Sequence, residues 1–143
     1  MNKIVYVILH YIAIEETKKC VTSIIEKSQN NNYEIVIVDN GSNNNSGLEI
    51  KKKYKGNDNI HVILSKKNLG FAKGNNIGFI YAKNQLNADF IVMLNNDVYI
   101  TQFDFNEKII EEYKKSEFAV LGPKIYLKDN SVCNYPDKLP TLN

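Results

Sequence analysis

Arginine and tryptophan do not occur in this chain: all 18 cationic residues among its 143 are lysine. Without a guanidinium fork, an anionic ligand has to be met by Lys, backbone N–H groups, a helix N-terminus or a bound metal. Cysteine is scarce. Cys20 and Cys133 show no C-x-x-C spacing, which excludes a disulfide framework and a paired-ligand zinc site and makes a reducing, cytoplasmic setting the expectation. Charge of one sign is lacking too: 18 basic against 16 acidic groups leave +2, too little for the phosphate-backbone footprint of a nucleic-acid binder. No apolar run approaches the roughly 20 residues of a membrane-spanning helix. Ile4 to Ile14 imitates a signal peptide's core, but His10 interrupts it, Glu15 and Glu16 follow, and no small-residue cleavage site appears. A buried first strand accounts for it better. Asn, Ile and Lys are abundant, as an A/T-rich gene produces, and no function is read into that.

With 43% hydrophobic and 24% charged residues the chain has the make-up of one globular domain, not of collagen, a coiled coil or a disordered segment. Short β-branched runs alternate with longer stretches of helical period, the pattern of a mostly parallel α/β sheet with helices on both faces. The strand candidates Lys3–Leu9, Glu34–Val38, Ile60–Leu64 and Phe90–Leu94 are continuously apolar, so all four are expected to be central. Helices are expected from about Glu16 to Ser28, with Cys20, Val21, Ile24 and Ile25 inward, and from Gly47 to Tyr54 behind a Ser46–Glu49 capping box. A third runs from about Gly74 to Asn84 with Ile77, Ile80 and Tyr81 inward, and Gly78 would let it approach the sheet closely. A fourth runs from Phe105 to Lys115, capped by Asp104, with Phe105, Ile109, Ile110 and Tyr113 inward. Ala119–Leu121 is a candidate fifth strand.

Open sheets of this kind bind ligands beyond the C-terminal strand ends, near a reversal of strand order. Four polar or glycine-bearing segments stand there: His10-Tyr11, Asp39-Asn40-Gly41-Ser42, Ser65 through Lys73, and Asn95-Asn96-Asp97. Asp39, ending an apolar run, reads either as a turn aspartate bonding its own backbone or as an acceptor for a nucleobase or ribose. Asn95-Asn96-Asp97 offers one carboxylate and two amide carbonyls. These are hard oxygen donors suited to Mg²⁺ or Mn²⁺ completed by water and substrate phosphate, although an isolated N-N-D also reads as a polar turn. The segment from Asn68 to Asn76 is a glycine loop leading into a helix, able to rest a phosphate, yet it matches neither G-x-x-x-x-G-K-[ST] nor G-x-G-x-x-G. His10 and His61 have no spacing that implies a metal site, and His61 is expected to be a satisfied edge residue. The nine tyrosines read as core and boundary residues.

Taken in order, VYVILHY, IVIVDNGS, NLGFAKGNNIG, DFIVMLNNDV and LGPKIY resemble the N-terminal half of family 2 glycosyltransferases, particularly the rhamnosyltransferase-like branch. The resemblance is collinear over about residues 3 to 127. It implies a Rossmann-like GT-A fold that binds a UDP- or dTDP-linked sugar with a divalent cation, for transfer to a glycan or lipid-linked acceptor. By the family pattern Asp39 would contact the nucleobase and Tyr11 would lie near it. Asn68, Gly70, Lys73, Asn75 and Asn76 would stand beside ribose and sugar. Asn95-Asn96-Asp97 would stand at the D-x-D position, with Asn95 facing the ribose or the metal, Asn96 among the substrate-binding residues and Asp97 the metal ligand. His10 and Ile12 depart from the family, which often has Asn on either side of the tyrosine, and Asn95 replaces the first acid of D-x-D.

The family's catalytic base comes from its C-terminal half, and neither Asp129 nor Asp137 stands in a matching context. Residues 1–127 are therefore expected to form a nucleotide-sugar-binding half, and 128–143 a tail leading toward an acceptor-binding half that carries the base. Apolar surface where that half would pack is expected, with self-association as one way to cover it. The resemblance also implies polysaccharide or glycan assembly, cytoplasmic or peripheral to the inner face of a membrane. Two rival readings are a nucleotide-sugar-binding module without catalysis and a nucleotidyltransferase. A receiver-type signalling domain is disfavoured, because His10-Tyr11 and Ser65-Lys66 occupy the places of its acidic pair and phosphorylatable Asp.

Overall fold

The computed structural model describes residues 2–28, 32–127 and 129–133. Strands and helices alternate along the chain: β1 (Ile4–His10), α1 (Ile14–Lys27), β2 (Tyr33–Asp39), α2 (Ser46–Lys53), β3 (Ile60–Leu64), α3 (Phe71–Asn84), β4 (Phe90–Asn95) and α4 (Phe105–Ser116). The chain divides into two compact units, residues 1–111 and 112–143.

In the first unit the four strands form one parallel sheet in the order β3-β2-β1-β4. The chain steps outward from β1 through β2 to β3, then crosses back to lay β4 on the other flank of β1. That reversal opens a crevice at the C-terminal ends of β1 and β4. The two sheet faces differ in side-chain size. Ile4, Tyr6, Ile8, Ile35 and Ile37 share one face with Cys20, Val21 and Ile24 of α1, Ile50 of α2 and the partly buried Phe105 and Ile110 of α4. Val5, Val7, Val36 and Val38 share the other with Ala82, Leu86 and the partly buried Ile77 and Tyr81. Smaller residues there let α3 sit close: a Cβ on Gly78 would overlap the Val7 side chain, and one on Gly74 would stand 2.6 Å from Leu9 Cδ1. The buried Tyr6 hydroxyl donates to Asn106 Oδ1 and lies 3.4 Å from Ser28 Oγ, joining β1 to the end of α1 and the start of α4. Desolvation pushes that phenol up to about 12.

The α/β class, the parallel sheet and helices on both faces are as the sequence indicates, and Cys20 is core. Several details differ. Only β1 and β2 are central; β3 and β4 are edges, and Met93 of β4 is 45% exposed. Helix α3 begins at Phe71, not Gly74, because Gly70 turns the chain with φ +79° and the Gly74 N–H already donates to the Gly70 carbonyl at 3.1 Å. With that phase Ile80 is exposed, as is Tyr113 on α4. The Ser46–Glu49 capping box does not form, since Asn45 is the N-cap and the Ser46 hydroxyl is drawn to His10 and Asn44. Asp104 pairs with Lys108 at 2.9 Å. His61 is satisfied by Glu34 at 2.6 Å and Tyr81 at 3.4 Å.

In the second unit Tyr113 and Phe118 meet edge to face at 5.4 Å, and Tyr126 bridges Val132. The expected strand at Ala119–Leu121 is not formed. Asp129 accepts hydrogen bonds from the Ser131 N–H at 2.9 Å and hydroxyl at 2.6 Å, a local turn. Residue 128 and residues 134–143, with Asp137, lie outside the described residues. Among the described residues no helix is long and apolar enough to cross a membrane.

Candidate functional site

The crevice at the reversal holds two adjoining hollows. One, of about 300 Å³, is lined by Phe71, Ala72, Asn75, Asn76, Met93, Leu94 and Asn95. The other, of about 250 Å³, is lined by Leu9, Tyr11, Phe71, Asn95, Asn96 and Asp97. Phe71 and Asn95 belong to both, so the two form one cleft between the N-terminus of α3 and the ends of β1 and β4. Six of the ten residues singled out in the sequence meet here: Tyr11, Asn75, Asn76, Asn95, Asn96 and Asp97. Leu9, Phe71, Ala72, Met93 and Leu94 were not singled out; their apolar character hides them among core residues in a sequence.

Asp39, Asn68, Gly70 and Lys73 do not line either hollow. Asp39 is buried at the end of β2, where its Oδ1 accepts the Ser42 N–H at 3.1 Å and its Oδ2 lies against Gly47 at the start of α2. Asn68 Oδ1 accepts the Gly70 N–H at 2.8 Å and an Asn40 amide proton at 3.1 Å. Lys73 is exposed and has no ion pair among the described residues. The buried Asn40 is the clamp of the glycine loop: its Nδ2 also donates to the Gly70 carbonyl at 3.3 Å, and its Oδ1 accepts the Leu69 N–H at 3.0 Å. Gly41 permits this approach, because a Cβ there would overlap the Lys67 carbonyl carbon. With the loop so held, α3 starts at Phe71 on the rim of the cleft, and the Gly74 N–H is taken up by the Gly70 carbonyl at 3.1 Å.

At the other rim, the N-N-D segment follows β4. The Asn96 amide donates to Thr17 Oγ1 at 3.1 Å and the Ala13 carbonyl at 3.3 Å, which braces the segment against α1. Asp97 is exposed. Cys20 lies beneath, its Sγ 3.9 Å from the Asn95 carbonyl, and burial with the Asp97 charge beside it pushes the thiol up to about 12, so it is no nucleophile. Among the described residues no three His, Cys, Asp or Glu side chains form a metal cage. One exposed carboxylate beside amide oxygens fits the alternative arrangement, in which Mg²⁺ or Mn²⁺ is completed by ligand phosphate and water.

A parallel sheet with a cleft where its strand order reverses defines a doubly wound α/β protein. The chain belongs to glycosyl transferase family 2, whose family model matches residues 6–140. It is 29% identical over 101 residues to the low-salt glycan biosynthesis hexosyltransferase Agl10 of Haloferax volcanii, a match covering 71% of this chain and 31% of that protein. It is 30% identical over 114 residues to glycosyltransferase GlyA of Streptococcus pneumoniae serotype 4, covering 80% of this chain and 15% of that protein. Among solved structures it resembles S. aureus TarS 1-349 in complex with UDP, with a TM-score of 0.64 and 19% identity, covering 80% of this chain and 33% of that one. The same protein in complex with UDP-GlcNAc gives a TM-score of 0.63 at 20% identity, covering 80% of this chain and 32% of that one. These likenesses show a GT-A fold. The chain spans about a third of Agl10 and of TarS 1-349.

Proposed function

We propose that this chain is the donor-binding part of a glycosyltransferase, taking a UDP- or dTDP-linked sugar with Mg²⁺ or Mn²⁺ at Asp97 for transfer to an acceptor hydroxyl in glycan or polysaccharide synthesis. The observation that carries the reading is the convergence of Tyr11, Asn75, Asn76, Asn95 and Asp97 on one cleft at the strand-order reversal. The TarS complexes with UDP and UDP-GlcNAc support it by fold.

In this reading Tyr11 offers a ring face to the base, and Asn75, Asn76 and Asn95 offer hydrogen bonds to ribose and sugar. Asp39 acts at the base side from under the Gly41-Ser42 turn. A divalent cation, when bound, supplies Lewis-acid stabilisation of the nucleoside diphosphate leaving group. With no arginine in the chain, the remaining counter-charge comes from Lys73 and the first turn of α3. A second reading, a binding module without catalysis, is favoured for this chain taken alone by one fact: Asp97 is the only carboxylate among the residues lining the cleft, which leaves none to serve as base. We also infer self-association over the edge of β4, which pairs with no described strand other than β1.

Calorimetric titration of UDP and dTDP, with and without Mn²⁺, tests the reading on wild type and Asp97→Ala. The expected result is binding of one nucleotide that Mn²⁺ tightens, with that metal-dependent part lost in Asp97→Ala. Absence of binding by either nucleotide under every metal condition would overturn it. Transfer from a nucleotide sugar to an acceptor by this chain alone would decide against the module reading.

A further inference from the structure

His10 is fully buried at the end of β1, where an imidazole has no apolar reason to be. Its Nδ1 lies 2.7 Å from Thr17 Oγ1 of α1 and its Nε2 lies 2.8 Å from Ser46 Oγ of α2. On the α1 side, Thr17 Oγ1 accepts the Asn96 amide at 3.1 Å, which holds the N-N-D segment. On the α2 side, Ser46 Oγ reaches Asn44 Oδ1 at 2.6 Å, and Asn44 Nδ2 donates to the Ile12 carbonyl at 3.1 Å. The Ile12 N–H in turn donates to Ser42 Oγ at 2.8 Å, and the Ser42 N–H to Asp39 at 3.1 Å. A single chain of hydrogen bonds therefore runs from beside Asp97 to Asp39, with His10 at its centre.

The direction of the chain follows from counting protons. Ser46 has one hydroxyl proton, and its 2.6 Å contact with Asn44 Oδ1 requires it. Ser46 then accepts from His10 Nε2–H. For a neutral ring, which burial favours, Nδ1 is the acceptor of the Thr17 hydroxyl, whose single proton goes to this 2.7 Å contact in preference to the Ala13 carbonyl at 3.1 Å. Every donor then points the same way, from Asn96 through Thr17, His10 and Ser46 to Asn44. The opposite tautomer would leave two oxygens 2.6 Å apart with no proton between them.

We infer that His10 is a positioning residue of the donor site: through Thr17 and Ser46 it locks the Asp97-bearing segment and the Asp39-bearing turn into one geometry, touching neither ligand nor metal. This rests on the proposed donor-binding function. None of His10, Thr17 and Ser46 lines the cleft, so their effect on binding is indirect, and two substitutions in one chain should not add.

The test is a double-mutant cycle on UDP or dTDP binding, whichever the wild type takes, with Mn²⁺ present, using Thr17→Val, Ser46→Ala and the double variant. Each single variant is expected to weaken binding about fivefold, the worth of one hydrogen bond, and the double variant no more than the worse single. His10→Gln, whose amide can still accept on one side and donate on the other, should retain more affinity than His10→Leu. Imidazole ¹⁵N shifts of the free protein should report the Nε2–H tautomer, a readout that ligand binding does not enter. Wild-type affinity in folded Thr17→Val and Ser46→Ala, multiplicative losses in the double variant, or an Nδ1–H ring would overturn the inference while leaving the donor reading intact. A wild type that binds neither nucleotide would overturn the donor reading, and the positioning role with it.

Discussion

Ile12, between the exposed Tyr11 and α1, holds φ at +62°, a left-handed backbone that crowds a β-branched side chain. Both of its backbone groups are tied down, the N–H to Ser42 and the carbonyl to Asn44, so the loop imposes the conformation. Asn tolerates this geometry far better. The departure at residue 12 was legible in the sequence; its strain was not, because the bonds that impose it come from 30 residues away. Ile12→Asn is expected to raise stability by roughly 1 kcal/mol, read as a higher Tm. His10 gives a second prediction at this scale. Burial lowers its pKa below 6.5, with Asp39 partly opposing, so the unfolded chain takes up a proton first as pH falls. Its contribution to stability is complete above 6.5 and is lost as pH drops from there through the lower folded value. Denaturant unfolding across that window should show this slope in wild type and a smaller one in His10→Gln.

At the scale of elements, what the sequence conceals is mostly where neighbours lie. A continuous apolar run such as FIVML marks a strand, but it does not separate a central strand from an edge. β4 turned out to be an edge. The early start of α3 was hidden because no side chain caps it; Gly70 makes the turn by backbone freedom alone. The N-terminal part of the cleft was legible as strand ends followed by polar residues, whereas the clamp by Asn40 depends on a loop 28 residues further on. Gly41 is where that clamp is most exposed to test. With φ at +73° and the Asn68 nitrogen 2.6 Å from where a Cβ would sit, Gly41→Ala forces the β2 turn and the glycine loop apart. The expected cost is about 2 kcal/mol in chemical denaturation, together with weaker nucleotide binding.

For the whole molecule, the α/β class and the family were legible because five motifs stand in order, four of them at or just beyond the ends of β1 to β4. The edge of β4 was not, and it carries the prediction made at this scale. β4 pairs only with β1 among the described residues, and such an edge invites pairing between copies; Met93 is exposed on this strand and also lines the cleft. Sedimentation should show concentration-dependent association of the wild type that Met93→Lys reduces; a monomer at all concentrations would remove self-association from the proposal. The sheet order has a further consequence in time. β1, the most buried strand, pairs with β2 close by in sequence but with β4 only across a span such as that from Lys3 to Asp89, 86 residues apart. During synthesis β1, β2 and β3 can assemble as soon as they emerge. One flank of β1 then waits while residues 65–95 are made, roughly 2–6 s at ordinary rates of elongation. For those seconds the strand that ends as the centre of the core is an open parallel edge, the point at which a nascent chain most needs a chaperone or falls to aggregation.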